Sequence, residues 1–171
     1  LVNSFWPCLL AALCRDLSVP MVHFSTDLVY SGGNPPYTEK SSAVPISLYG
    51  WSKLLADVLV RKIHPRSLIV RTSVLCGDTP SRKTTFSQDL LSGRLTSVYV
   101  DSWRNHTPIN WLADMTFSLM DSGTCGLVIA SGRYSQSRAA YAEQLLQSRG
   151  MSIEGLVQTY APQNTPRELS L

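Results

Sequence analysis

Tyr49 and Lys53 stand four residues apart in Leu48-Tyr49-Gly50-Trp51-Ser52-Lys53-Leu54, one connecting loop after Phe24-Ser25-Thr26-Asp27-Leu28-Val29-Tyr30. On a helix, positions i and i+4 share a face, so a phenol and an ammonium can enter the same cleft. Thr26, at the end of the preceding strand, adds a hydroxyl. Such a set can protonate a carbonyl oxygen while a hydride arrives from a donor. A free phenol titrates near ~10, and a fixed cation favours the phenolate, so Lys53 is expected to lower the Tyr49 pKa. Taken alone, the spacing fits an ordinary amphipathic helix with a surface Tyr and Lys better.

The elements that would hold these side chains follow from periodicity and turn chemistry. Residues 47–63 read as a helix with Ser47 as N-cap and Pro65 closing the far end. Residues 20–26 and 67–73 read as short buried strands, with loops at 31–36 and 76–80. Helices are expected over 3–16, 84–93, 111–120 and 135–149, and strands over 97–100 and 126–130. The apolar stretch from Phe5 to Cys14 reads as a buried helix, and residues 156–171 as extended and Pro-interrupted. This alternation is α/β, part of a doubly wound parallel sheet. Ligands bind such sheets at the carboxyl ends of the strands, where Thr26 and Ser73 fall.

Composition limits the alternatives. The 171 residues suffice for one sizeable core and at most a small extra lobe. With 44% apolar and 16% charged residues, the chain is globular rather than disordered. A net charge of +3 without a dense Lys/Arg run gives no footprint for nucleic acid. No apolar run is long enough to span a bilayer. Cys8, Cys14, Cys76 and Cys125 are scattered without a C-x-x-C, and His23, His64 and His106 are isolated. The cysteines read as free core thiols of a reducing, cytoplasmic compartment. The histidines read as surface or satisfied structural residues, and no metal site is expected. Asn105-His106-Thr107 fits a glycosylation sequon by chance.

Four ordered phrases carry a family resemblance. Ser25-Thr26-Asp27-Leu28-Val29-Tyr30-Ser31-Gly32, Pro36-Tyr37-Thr38-Glu39, Pro45-Ile46-Ser47-Leu48-Tyr49-Gly50-Trp51-Ser52-Lys53 and Arg71-Thr72-Ser73 resemble the extended short-chain dehydrogenase/reductase family. Within it they are most similar to the dTDP-4-dehydrorhamnose reductase group. The resemblance implies a Rossmann-like fold. Residues 1–100 would be the second half of the cofactor-binding domain, and residues 101–171 a mixed region feeding the substrate lobe and the last sheet strands. The Gly-rich turn that cradles a dinucleotide pyrophosphate in such proteins has no counterpart here. The chain therefore reads as an internal fragment that binds dinucleotide poorly by itself, with roughly 75 residues of the sheet expected before Leu1.

The resemblance also implies roles. Tyr49 would be the general acid, Lys53 its cation and a ribose ligand, and Thr26 the group orienting the carbonyl of a nucleotide-linked 4-keto sugar. NADPH or NADH would be held by Tyr49, Lys53, Ser25 and Ser73, and the substrate by Thr26, Val29, Asn105 and Arg167. Residues 104–108 would be a substrate-contacting loop. Val74 stands where many of the group have Trp. Asp27 is expected to accept backbone N–H bonds, and Asp57 to help the helix or pair with Lys53 at the surface. A homodimer or a partner protein fits the resemblance. The alternative is a non-catalytic binding module like the β-subunit of methionine adenosyltransferase, which resembles the same group. An epimerase or dehydratase is disfavoured, because the S-T-D phrase lacks the acidic pattern dehydratases place after the Thr.

Overall fold

The computed structural model describes residues 2–79 and 83–171. Its first sheet joins three parallel strands in the order β1 (Val22–Thr26), β2 (Leu68–Thr72) and β6 (Gly126–Ile129). Every residue of β2 is buried, as expected of a central parallel strand covered on both faces. Leu68 and Val70 pack on Leu112 of helix α4 (Ile109–Asp121). The alternate residues Ile69 and Arg71 point to the opposite face. There Arg71 meets Asp57 of helix α2 (Leu48–Ile63). The register pairs Thr26 with Thr72, so both strands deliver their last residues at one edge.

Ser47 caps α2, its Oγ accepting from Gly50 N at 3.0 Å, and the helix ends at Ile63 before Pro65. Gly50 sits where a Cβ would stand 2.2 Å from the Leu28 carbonyl oxygen. Its missing side chain lets the first turn of α2 press against the 3₁₀ turn Asp27–Val29 that follows β1. Tyr49 is thereby brought to the exit of β1.

The rest forms a smaller layer. β3 (Val74–Cys76) runs parallel to β5 (Trp103–Pro108), which pairs antiparallel with β7 (Ser135–Ser137) and parallel with β9 (Glu168–Leu169). β4 (Ser97–Tyr99) pairs with β8 (Val157–Thr159). Helix α3 (Phe86–Leu91), begun by a Thr85/Gln88 capping box, and helix α5 (Arg138–Ser148) enclose Leu90, Val98, Ala142 and Leu146.

Several expectations change. Residues 104–108 are a strand, not a loop: Arg104, Asn105, His106 and Thr107 are polar yet buried, and alternating hydrophobicity cannot announce such a strand. The helix expected at 135 begins at Arg138, because Ser135–Ser137 first pair with β5. Helix α1 (Phe5–Asp16) forms, but only Ala11 is buried, and Phe5 and Trp6 stay 60% and 54% exposed. Its contacts run to α2, and the far edge of β1 pairs with no strand among the described residues. Of the cysteines, all free, Cys76 is buried and Cys125 exposed. Pro80, the end of the loop read at 76–80, lies outside the described residues. Among the described residues, no helix is long and apolar enough to cross a membrane.

Candidate active site

A cavity of about 480 Å³ opens at the carboxyl ends of β1 and β2. Its polar wall is Ser25, Thr26, Tyr49, Lys53, Thr72 and Ser73, and its apolar wall is built around Leu75, Ile109 and Leu112. The topology thus gathers Thr26, the Tyr49/Lys53 turn and Ser73 around one crevice, as the strand order required.

Lys53 is anchored, its Nζ donating to the Phe24 carbonyl at 2.6 Å. Burial holds its pKa below the usual lysine value, partly offset by the Asp57 carboxylate. Tyr49 moves opposite to expectation. Burial, and secondarily the Asp27 carboxylate, push its phenol above the ordinary value. Desolvation of the phenolate dominates, while one of the Lys53 N–H donors is held by a backbone carbonyl. Near neutrality Tyr49 is therefore a phenol holding its proton.

The hydroxyls are not free. Thr26 Oγ1 accepts from Leu28 N at 3.2 Å, capping the 3₁₀ turn, and donates to Asp27 Oδ1 at 3.2 Å. Ser73 Oγ donates to Asp27 Oδ2. Ser25 Oγ donates to Asp57 Oδ2 at 2.8 Å. Thr72 differs: its hydroxyl is buried in the same wall and has no protein partner. Such an orphan at the strand ends fits a polar ligand group seated between β1 and β2, and so does an ammonium with donors beyond the one it has used.

Two buried carboxylates lie beneath. Asp57, expected at the surface, is 2% exposed and takes both Nε and Nη2 of Arg71 on one oxygen, at 3.1 and 3.0 Å. His23 Nε2 stands 3.4 Å from the other oxygen without hydrogen-bond geometry. Arg71 also donates to the Tyr30 hydroxyl at 2.9 Å. Asp27 accepts side chains rather than backbone N–H groups. Besides Thr26 and Ser73, it binds the fork of Arg104 through Nε at 2.8 Å and Nη2 at 2.7 Å. Arg104, expected to meet substrate from a loop, is turned inward from a strand.

The remaining candidates lie apart from this crevice. Val29 is fully buried in the cluster of Tyr30, Tyr37 and Leu169. Asn105 is 1% exposed, donates to Gly132 O at 2.7 Å and accepts from Leu171 N at 3.0 Å, so its sequon is buried too. Arg167 pairs with Asp101. His106 is not a satisfied histidine: neither ring nitrogen has a partner, and its ring stacks on Tyr141 with centroids 3.8 Å apart. Of the residues that sequence reasoning passed over, Thr72 lay inside the quoted Arg71-Thr72-Ser73 phrase. The pairing of Asp27 with Arg104 spans 77 residues and had no local signal.

Comparison with known proteins agrees with this architecture. Residues 1–169 match the family model described as RmlD substrate binding domain. A probable low-salt glycan biosynthesis reductase of Haloferax volcanii is 28% identical over 87% of this chain and 52% of its own length. The methionine adenosyltransferase 2 subunit beta of Rattus norvegicus is 30% identical over 52% of this chain and 27% of its own. A crystal structure of dTDP-4-dehydrorhamnose reductase from Bacillus anthracis, in complex with NADP, superposes with a TM-score of 0.84 at 25% identity. That match covers 93% of this chain and 57% of that one. The chain thus spans about half the length of the reductases it matches.

Proposed function

We propose that this chain, which belongs to the RmlD substrate binding domain family, carries the catalytic crevice of an NAD(P)H-dependent reductase acting on a nucleotide-linked 4-keto sugar. The observation that carries the reading is the convergence of Tyr49, Lys53 and Thr26 on one cavity at the strand ends. The four free cysteines fit a reducing cytoplasm.

When bound, a reduced nicotinamide supplies the hydride to the carbonyl carbon. Tyr49 gives its phenolic proton to the carbonyl oxygen, so the ketone becomes an alcohol and the phenolate must be reprotonated. A phenol held above its ordinary pKa keeps that proton at neutral pH. Lys53, fixed by the Phe24 carbonyl, faces the developing phenolate as a cation and offers its remaining N–H donors to ribose hydroxyls. Thr26 reaches a substrate carbonyl only by turning its proton away from Asp27, a bond long enough at 3.2 Å to be exchanged. Thr72 adds a hydroxyl with no competing partner. Ser25 and Ser73 join the cofactor wall chiefly as positioned oxygens, since their protons go to Asp57 and Asp27. Asn105 and Arg167 remain substrate candidates only if their contacts with Gly132 and Asp101 open.

The test is oxidation of NADPH by the intact protein with a dTDP-4-keto-6-deoxyhexose. Tyr49→Phe is expected to cut kcat by about a hundredfold or more, with cofactor affinity nearly unchanged. Undiminished turnover in Tyr49→Phe rejects the acid assignment. The second reading, a non-catalytic binding module, draws on the likeness to the methionine adenosyltransferase subunit and on the exposed apolar residues of α1. It predicts no turnover in the wild type together with a stable complex with a partner protein.

A further inference from the structure

Asp27 is fully buried, and its two oxygens receive four hydrogen bonds, from Thr26, from Ser73 and twice from Arg104. A carboxylate offers about four lone-pair sites, so this one is saturated. Two of its donors are crevice hydroxyls. The other two come from a guanidinium that is itself only 5% exposed. The fork-on-fork geometry is the strongest arrangement available to such a pair, and a lysine cannot reproduce it. At 3.2 Å the Thr26 bond is longer than either Arg104 bond, and so the more readily exchanged.

We propose that the Asp27–Arg104 pair is a positioning element: it aims the Thr26 and Ser73 hydroxyls and keeps one fixed negative charge beneath the crevice. Arg104 occupies two acceptor sites. Without it, the carboxylate would draw the Thr26 proton closer and hold it from a ligand. The pair also ties the crevice to the second layer, because Arg104 sits in β5 opposite Gln136 of β7.

Arg138, on α5, interacts with both Arg104 and Asp27. His106 is kept neutral near pH 7 by burial and by the two arginines. On the crevice side, Tyr49 feels the Asp27 carboxylate, and Lys53 feels Asp57. A change at Asp27 therefore acts on Tyr49 directly, and a change at Asp57 acts first on Lys53.

That asymmetry supplies a test that needs no turnover. The Tyr49 phenol is titrated by NMR in the chain labelled with ¹³Cζ-tyrosine, with Tyr49→Phe assigning the signal. Asp27→Asn should lower the Tyr49 pKa, and by more than Asp57→Asn does. If Asp27→Asn does not fold, the double variant Asp27→Asn/Arg104→Gln keeps a neutral hydrogen-bonded pair. Losing the Asp27 charge lowers the Tyr49 pKa and losing the Arg104 charge opposes it, so the shift should be in the same direction but smaller. A Tyr49 titration unmoved in the folded variant overturns the proposal.

The hydroxyl part rests on the reductase reading and is tested on the intact protein once wild-type turnover is seen. Arg104→Lys keeps the charge but loses the fork. It should reduce kcat by about tenfold to a hundredfold with the cofactor KM unchanged. Wild-type kinetics in Arg104→Lys sink the positioning role while leaving the reductase reading intact. A wild type without turnover sinks that reading and leaves the titration result standing.

Discussion

Among the described residues, two aspartate–arginine pairs are buried, and they are built differently. Asp57 and Arg71 lie 14 residues apart, within one helix–strand unit. Both guanidinium bonds converge on a single oxygen, and Asp57 Oδ1 is left facing His23 at 3.4 Å. Asp27 and Arg104 lie 77 residues apart, join the two layers, and use both oxygens. The first pair staples α2 to β2 and leaves a ragged edge. The second is saturated and stands directly below the crevice. The pair that is local in sequence has the looser geometry. The distant pair has the tighter one, as expected where side-chain direction at a site must be held within narrow limits.

Removing one partner from either pair is the strongest perturbation. A buried charge left alone costs about 3–5 kcal/mol. Asp57→Ala and Asp27→Ala should both fall in this range by urea unfolding, and their effects should part in hydrogen exchange. Asp57→Ala should weaken amide protection in β1 and β2. Asp27→Ala should weaken β5 first, because Arg104 is its anchor. Equal loss in both regions for both variants would collapse the distinction between a local staple and a link between layers.

What the sequence discloses follows the same division. Helix α2, with its Ser47 cap and Pro65 stop, and the apolar runs of β1 and β2 are local patterns, and each lies close to where those patterns put it. The meeting of Thr26, Tyr49 and Lys53 follows from strand order plus one helical turn. β5 is illegible because Arg104-Asn105-His106-Thr107 has the polarity of a loop. Its burial depends on Asp27, Gly132 and Leu171, none of them near in sequence. The exposure of α1 is hidden for the opposite reason: an apolar helix looks the same whether or not something covers it. The raised phenol of Tyr49 is also a long-range result. The i+4 spacing reports that Lys53 is one turn away, not that its ammonium is bound to Phe24 O.

His106 sharpens the comparison from a third direction, since it lies near Arg104 yet has no carboxylate of its own. Burial, then the Arg138 and Arg104 charges, push its pKa down to about 4, against ~6.5 in an unfolded chain. A folded pKa below the unfolded value means that the unfolded state binds the extra proton. The contribution is therefore fully present above about pH 6.5 and is lost as the pH falls toward 4, by roughly 3 kcal/mol in all. His106→Phe keeps a ring to stack on Tyr141 and removes the titration. Its urea stability should decline less than that of the wild type between pH 6.5 and 4. Parallel pH profiles would mean that His106 is not held below its ordinary pKa in the folded chain, by burial or by the arginines.

The smallest effect belongs to the ion pair of Arg167, one of the substrate-binding candidates of the sequence. Arg167 binds Asp101 at the surface, with side chains 44% and 27% exposed. Water screens both charges, and ordering the long side chain offsets part of the attraction, so the pair is worth less than about 1 kcal/mol. Asp101 has a second duty, since its Oδ1 accepts from Ala161 N at 2.7 Å. The carboxylate thus stays anchored when the arginine is gone. Arg167→Ala should shift the unfolding midpoint only slightly, and 0.5 M salt should shrink even that difference. Asp101→Ala should cost more, because it also frees a backbone amide. A large loss of stability in Arg167→Ala would place this pair beside Asp27–Arg104 as a structural tie. A small loss leaves the guanidinium free to exchange its carboxylate for another anion, which is what the proposed role toward substrate requires.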